Sequence, residues 1–167
     1  MTGVSGEQLA ALARVHAALE EAGLEYWLFG GWAVDFHVGA VTRAHEDVDI
    51  AVWFDDVARI AGLLEAGGWR HLPGEDDNGG TGFEREAVRL ELTYLVMEAD
   101  GTVAIPLRDA RATWPSDATE FAALELMGTG ARVLPLASLL KTKSPPREDP
   151  DDAPKDRADY DALRRIG

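Results

Sequence analysis

An α+β fold is what this chain predicts, and three observations carry the prediction. Apolar residues recur at helical spacing near the start, at Leu9, Leu12, Val15 and Leu19. An apolar run, Tyr26-Trp27-Leu28-Phe29, then meets Gly30-Gly31 and a second helical pattern. Carboxylates alternate with apolar residues in Asp47-Val48-Asp49-Ile50-Ala51-Val52, as they do on a half-buried strand. Several strand patterns follow before helices close the chain.

Taken in order, Ser5-Gly6-Glu7-Gln8 reads as a helix N-cap with Gln8 at the capping-box position, and Gly23 ends that helix. His16 lies on or beside its apolar stripe and reads as a packed residue. A strand spans about Leu24 to Phe29, and a short helix runs from Trp32 until Gly39 stops it. Asp35 lies early in that helix, where the dipole favours a carboxylate, and reads as a stabiliser or an orienter of its neighbours. After the Asp47 strand, Asp55 or Asp56 caps a third helix that ends at Gly67-Gly68. Trp69 to Leu72 reads as a short strand, and Pro73 to Gly82 as a loop on composition alone. Its Glu75-Asp76-Asp77 run is a solvated tip or an acidic lip for a cationic substrate.

Phe83 to Ala87 and Val88 to Met97 form a hairpin or one interrupted strand, with Arg89, Glu91 and Thr93 on its polar face. Asp100-Gly101 is a turn leading to a strand at Thr102 to Ile105. Arg111 to Asp117 reads as irregular, Phe121 to Leu134 as a hairpin turning at Gly128-Thr129-Gly130. Pro135 opens a helix over Leu136 to Thr142. The expected organisation is one domain over 1–144, an acidic Pro-rich connector over 145–154, and a last helix over 155–167 packed on the same domain.

Composition narrows the function. The chain has 167 residues, 46% of them hydrophobic, which suits a single core. It carries 16 Lys and Arg against 30 Asp and Glu, a net charge of −14. That balance disfavours a nucleic-acid partner and favours cations, metal ions or polyamine-like substrates, although many acidic proteins owe their charge to solubility alone. The absence of cysteine excludes disulfides and thiolate zinc sites. The sequence shows no signal pattern and no membrane-length apolar run, so the expected location is cytoplasmic.

The chemistry concentrates between residues 29 and 50. Strand alternation places Asp47 and Asp49 on one face and Val48, Ile50 and Val52 on the other. Two anions that close raise each other's pKa unless a cation sits between them. Mg²⁺ suits the pair, because it takes one or two carboxylates and completes its shell with phosphate and water. Upstream, a strand, two glycines and a helix N-terminus let backbone N–H groups approach a phosphate. Fifteen residues (32 to 46) separate the glycines from Asp47, enough for a short helix and a return. Arg43 could pair with the carboxylates or with phosphates, and His45 falls two residues before Asp47, beside the metal site or facing a substrate.

Gly30-Gly31, a short helix and Asp47-x-Asp49 on the next strand together resemble the nucleotidyltransferase superfamily typified by DNA polymerase β. The wording Gly30-Gly31-Trp32-Ala33-Val34-Asp35, Gly39 and Thr42-Arg43-x-His45-x-Asp47-x-Asp49 is similar to the small antibiotic nucleotidyltransferases. These include the aminoglycoside 2″-adenylyltransferases and the short lincosamide nucleotidyltransferases. The close resemblance covers residues 26 to 53, with looser agreement near Glu91 and at Lys155-Asp156-Arg157-x-Asp159. It implies a palm-like mixed β-sheet flanked by helices, with a short C-terminal helical segment.

The implied reaction is Mg²⁺-dependent transfer of a nucleoside monophosphate, AMP from ATP first, to a hydroxyl of an aminoglycoside or a lincosamide. Asp47 and Asp49 would hold one or two metal ions, with Glu91, where the superfamily often has Asp, as a third ligand or the base. Gly30 and Gly31 would meet the phosphates, with Lys141 or Lys143 neutralising the remainder. Trp53, Tyr94 and Trp114 are candidate walls for the acceptor, although aromatic residues of this kind also serve a core. The expected partner is a small molecule, bound by a monomer or homodimer. Two other readings stay open: modification of a protein hydroxyl, as in toxin–antitoxin pairs, and nucleotide binding without turnover.

Overall fold

In the computed structural model, residues 3–74, 76–115, 120–143 and 147–167 are described. Glu75 of the expected acidic loop, Asp117 at the end of the expected irregular stretch, and Ser144-Pro145-Pro146 at the expected domain–connector boundary lie outside them. The first helix, α1 (Gly3–Ala22), buries Leu9, Leu12, Val15 and Leu19 as its spacing requires. Ser5 and Gln8 do not cap it; both are buried within it. Gln8 is used elsewhere: its Nε2 donates to the His45 carbonyl at 2.9 Å, and its Oε1 accepts from Trp32 Nε1 at 3.3 Å.

Gly23 (φ 69) turns the chain, and the Leu24 N–H still closes α1 by donating to the Leu19 carbonyl. The first strand, β1 (Trp27–Phe29), is therefore shorter than expected. Helix α2 (Gly30–Val38) follows without a linker and ends at Gly39, whose left-handed φ of 84 lets its N–H reach the Asp35 carbonyl. After β2 (Val48–Trp53), a 3₁₀ turn (Phe54–Asp56) leads into α3 (Val57–Ala66). Neither Asp55 nor Asp56 caps α3 with its side chain, because the tighter 3₁₀ turn already directs the Val57 N–H to the Phe54 carbonyl.

Strands β3 (Arg70–Leu72), β4 (Gly80–Arg85) and β5 (Val88–Met97) come next. The expected loop ends early: Gly80, Thr81 and Gly82 pair with Thr93, Leu92 and Glu91. A Cβ at Gly80 would collide with the Leu92 carbonyl oxygen, so this loop-like composition serves close backbone approach. Beyond β6 (Val103–Pro106), the stretch read as irregular contains β7 (Arg111–Thr113), which β6 recruits by pairing. Strands β8 (Ala122–Leu126) and β9 (Thr129–Val133) form a hairpin. It turns one residue early, at Met127-Gly128, both with positive φ. Helices α4 (Leu136–Lys143) and α5 (Ala153–Arg164) complete the chain.

The sheet is mixed, in the order β3-β4-β5-β2-β1-β9-β8, with β6 and β7 continuing from the end of β5. β2 runs antiparallel to β1 but parallel to β5, and β1 runs parallel to β9. Helices lie against it, α1 on β5 and β9, α2 on β1 and β2. Val48, Ile50, Ala51 and Val52 are all buried, as are Trp27, Trp32 and Leu92, so the central strands are covered and Asp49 emerges at their edge. No helix among the described residues is long and apolar enough to cross a membrane.

Gln8 ties α1 to the segments that carry the acidic motif. Gln8→Ala leaves the Trp32 indole N–H and the His45 carbonyl buried without partners, a cost of about 2–4 kcal/mol. Urea denaturation should show a lower midpoint with an unchanged slope.

Candidate active site

Register brings the site together. Phe29 pairs with Asp49 across β1 and β2, and Asp49 pairs with Glu91 across β2 and β5. Gly30, one residue past Phe29, has φ +71, and a Cβ there would lie 2.5 Å from Asp49 Oδ2. Glycine is thus required twice, for the turn into α2 and for the carboxylate's approach. A Cβ on Gly31 would run into His45 Nδ1 and lie 2.7 Å from Arg43 Nη2. The glycine pair, Arg43, His45, Asp47 and Asp49 line one cleft of about 330 Å³, shared with Lys143, Arg147 and Lys155.

Asp47 stands just before β2 and Asp49 within it. Burial pushes the Asp49 carboxyl up to about 8, helped by the charge of Asp47, a hydrogen bond with it, and the charge of Glu91; Lys143 acts in the opposite sense. Without a cation beside it, Asp49 therefore holds its proton toward neutral pH. Among the described residues no three potential metal ligands cluster. Glu91 is in register with Asp49, but its carboxylate is engaged by Arg89 Nε and it borders a neighbouring cleft along β4 and β5. A donor set of two carboxylates, with phosphate and water to complete it, fits Mg²⁺.

Behind the cleft, Asp35 is fully buried. It accepts from the Thr42 backbone N–H (3.1 Å) and hydroxyl (2.5 Å), and its Oδ2 lies 2.6 Å from His45 Nε2. Asp35 is thus the orienter of Thr42 and His45 and holds the segment entering β2. His45 packs on the Trp32 ring at 4.9 Å.

The cationic wall is built differently from the sequence expectation. Arg43 pairs with neither Asp47 nor Asp49; Nε and Nη2 make a bidentate contact with Asp159 of α5, at 3.1 and 3.0 Å. Lys143 is buried and faces the cleft, whereas Lys141, on the same helix, is exposed and does not line it. Among the proposed walls, Tyr94 packs edge-on to Phe54 at 5.4 Å in a separate cleft beside Asp76 and Arg108. Trp114 packs edge-on to Phe29 at 5.3 Å and belongs to the core, and Trp53 packs on Trp27.

Arg147, Asp156 and Asp159 complete the cationic wall, and the sequence by itself gives none of them a chemical role. Asp156 and Asp159 stand in the Lys155-Asp156-Arg157-x-Asp159 stretch that carries part of the resemblance, three apart and so on one helix face. Burial opposes their charge, yet hydrogen bonds from Arg147 and the charge of Lys143 bring Asp156 to about 2. Arg43 and Lys143 likewise hold Asp159 below the ordinary carboxylate range.

These shifts predict opposite pH slopes in metal-free protein. Asp156 and Asp159 are charged more readily when folded, so their contribution is present above about pH 4 and lost in stronger acid, for Asp156 as pH falls through about 2. Asp49 holds its proton more tightly when folded, so stability declines as pH rises from about 4 through 8. Thermal melts should peak in mild acid. Asp49→Asn should flatten the decline toward pH 8 and raise the melting temperature there, about 2–4 °C per kcal/mol relieved.

The family model described as aminoglycoside-2″-adenylyltransferase matches residues 11–160. A 63-residue stretch, 38% of the chain, is 33% identical to a 2″-aminoglycoside nucleotidyltransferase of Escherichia coli. A relative of the same description from Klebsiella pneumoniae shares the same identity. The matched stretch spans 36% of the length of these curated relatives. Two solved structures share the fold. The crystal structure of ANT(2″)-Ia in complex with adenylyl-2″-tobramycin superposes with a TM-score of 0.71 at 21% identity, covering 96% of this chain and 90% of that one. The lincomycin-bound lincosamide adenylyltransferase LnuA gives a TM-score of 0.66 at 19% identity, covering 89% and 91%.

Proposed function

The chain belongs to the aminoglycoside-2″-adenylyltransferase family of nucleotidyltransferases, and from that premise we propose that it transfers a nucleoside monophosphate to a hydroxyl of a small-molecule antibiotic. The donor is a nucleoside triphosphate, ATP first, and the leaving group is pyrophosphate. An aminoglycoside is the first acceptor, and a lincosamide the second. The observation that carries the reading is the crowded Asp47–Asp49 pair facing the Gly30-Gly31 helix start inside a cleft walled by cations. The net charge of −14 favours a polycationic sugar over a polyanion.

In this reaction the acceptor oxygen bonds to the α-phosphorus as the bond to the pyrophosphate oxygen breaks. The protein's work is alignment and charge stabilisation. Asp47 and Asp49 would hold Mg²⁺, which when bound neutralises charge on the phosphate oxygens and favours the ionised acceptor. Gly30 and Gly31 leave room for phosphate oxygens near the first N–H groups of α2. Lys143 and Arg43 supply fixed positive charge within the same cleft. Glu91, released from Arg89, takes the proton of the acceptor hydroxyl or adds a carboxylate to the pair. Lys141, exposed and outside the cleft, has no part in this scheme.

The test is pyrophosphate release with Mg²⁺ and each of ATP, GTP, CTP and UTP, against aminoglycosides and lincosamides. Release should depend on one antibiotic class and fall by about 10³-fold or more in Asp49→Asn, several kcal/mol of lost charge stabilisation. Nucleotide binding without release for any acceptor would overturn the antibiotic reading and leave a protein hydroxyl or a non-catalytic role. In the same assay Gly31→Ala, which pushes on both Arg43 and His45, should lower kcat/KM on the order of 100-fold while circular dichroism stays unchanged.

A further inference from the structure

The proposed transfer uses no side chain of α5, yet this helix sends two carboxylates to the back of the cleft. Asp156 and Asp159 are almost completely buried. They share one helix face and contact three of the four cations that line the cleft, while the fourth, Lys155, pairs with Glu46. Arg43 Nη2 and Lys143 Nζ both lie 3.0 Å from the same atom, Asp159 Oδ2. Lys143 Nζ also approaches Asp156 Oδ1 at 3.6 Å. Arg147 reaches Asp156 three times, through its backbone N–H (2.9 Å), Nε (2.8 Å) and Nη2 (2.9 Å). The result is a continuous row, Arg43–Asp159–Lys143–Asp156–Arg147, in which three cations from three separate segments meet on two carboxylates.

A row of this kind is costly unless it serves something. Burying a carboxylate needs paired charge, and cations gathered onto one oxygen repel each other. All three cations line the cleft that holds Gly30 and Gly31, and a third carboxylate, Asp152, pairs with Arg147 Nη1 at 3.1 Å. Asp152 balances the charge of the row, yet 57% of the Arg147 side chain and 25% of the Arg43 side chain stay exposed along the cleft. A chain of linked anionic oxygens matches such a row, whereas a single carboxylate would engage one end of it.

We propose that Asp156 and Asp159 are positioning residues that set Arg43, Lys143 and Arg147 into one rail for the polyphosphate of the donor nucleotide, with Arg147 a direct contact of that chain. The identity of the ligand rests on the transfer reading above; the rail itself does not. By charge alone, removing an aspartate beside an anion site tightens anion binding. If the aspartate positions the cations, its removal weakens binding, because Arg43 and Lys143 separate.

The probe is inorganic tripolyphosphate, titrated by calorimetry into the full chain at fixed salt without Mg²⁺, so that no turnover is needed. Asp159→Asn should weaken binding about 10- to 100-fold, the scale of lost charge-assisted contacts. Asp159→Glu, which keeps the carboxylate, should recover part of the loss. Arg147→Gln should weaken binding to a similar degree. Unchanged or tighter binding in Asp159→Asn overturns the positioning role, as does wild-type protein that ignores tripolyphosphate. Should Asp159→Asn fail to fold by thermal melt, Arg147→Gln decides alone, and unchanged binding there overturns the rail. Pyrophosphate release separates the two readings. Tripolyphosphate binding that follows the expected pattern without release with any acceptor sinks the transfer reading and keeps the rail. Release with unchanged nucleotide KM in Asp159→Asn sinks the rail and keeps the transfer. A rise in KM at near-constant kcat supports both.

Discussion

Two carboxylates forced together at one end of a strand are the constraint on which this molecule turns. Asp47 and Asp49 sit two residues apart at the start of β2, and burial adds to their mutual repulsion. A fold that sought only stability would separate them or replace one. Instead the glycine pair removes the Cβ groups that would push Asp49 and His45 aside, and β5 adds Glu91 beside them in register. Each choice increases negative charge at one place, and each becomes favourable once a hard cation joins. Stability surrendered in the unliganded protein is binding energy held in reserve.

The surrounding architecture keeps that pair from escaping. The segment carrying His45 is held from three directions: by Gln8 of α1 at its carbonyl, by Asp35 of α2 at its ring, and by Trp32 across its face. Asp35 serves Thr42 and His45 together, so the whole approach to β2 hangs on one buried carboxylate. Its neighbours α1 and α2 anchor in the core through Leu12, Leu19, Trp32 and Val34. Rigidity in the apolar interior is thereby passed to a polar edge, which alignment chemistry requires.

Charge separation organises the remainder. The acidic pair shares its cleft with Arg43, Lys143 and Arg147, which are bound to Asp156 and Asp159. The chain as a whole is strongly acidic, yet four of its 16 Lys and Arg side chains, Arg43, Lys143, Arg147 and Lys155, line this one cleft. Such a field suits a metal ion at the carboxylates and phosphate at the cations. The acceptor's surroundings are less concentrated. Tyr94 borders a different cleft, Trp114 lies in the core, and Glu91 faces a groove along β4 and β5.

What the sequence determined by itself was whatever local periodicity encodes. Alternation placed Val48, Ile50 and Val52 inside and Asp47 and Asp49 at the cleft, because side chains on a strand must alternate. Glycine after an apolar strand marked the helix start, because the left-handed turn at residue 30 excludes a side chain. Tertiary structure alone decided the pairings between distant residues. Nothing near Arg43 announces that its partner is Asp159, 116 positions away. Nothing in Gly80-Thr81-Gly82 or Arg111-Ala112-Thr113 signals a strand, since their extended form comes from the hydrogen bonds that β5 and β6 offer. Lys141 and Lys143 look alike in sequence, but two residues on a helix is a rotation of about 200°. Only the docking of α4 on α5 buries one and leaves the other in water.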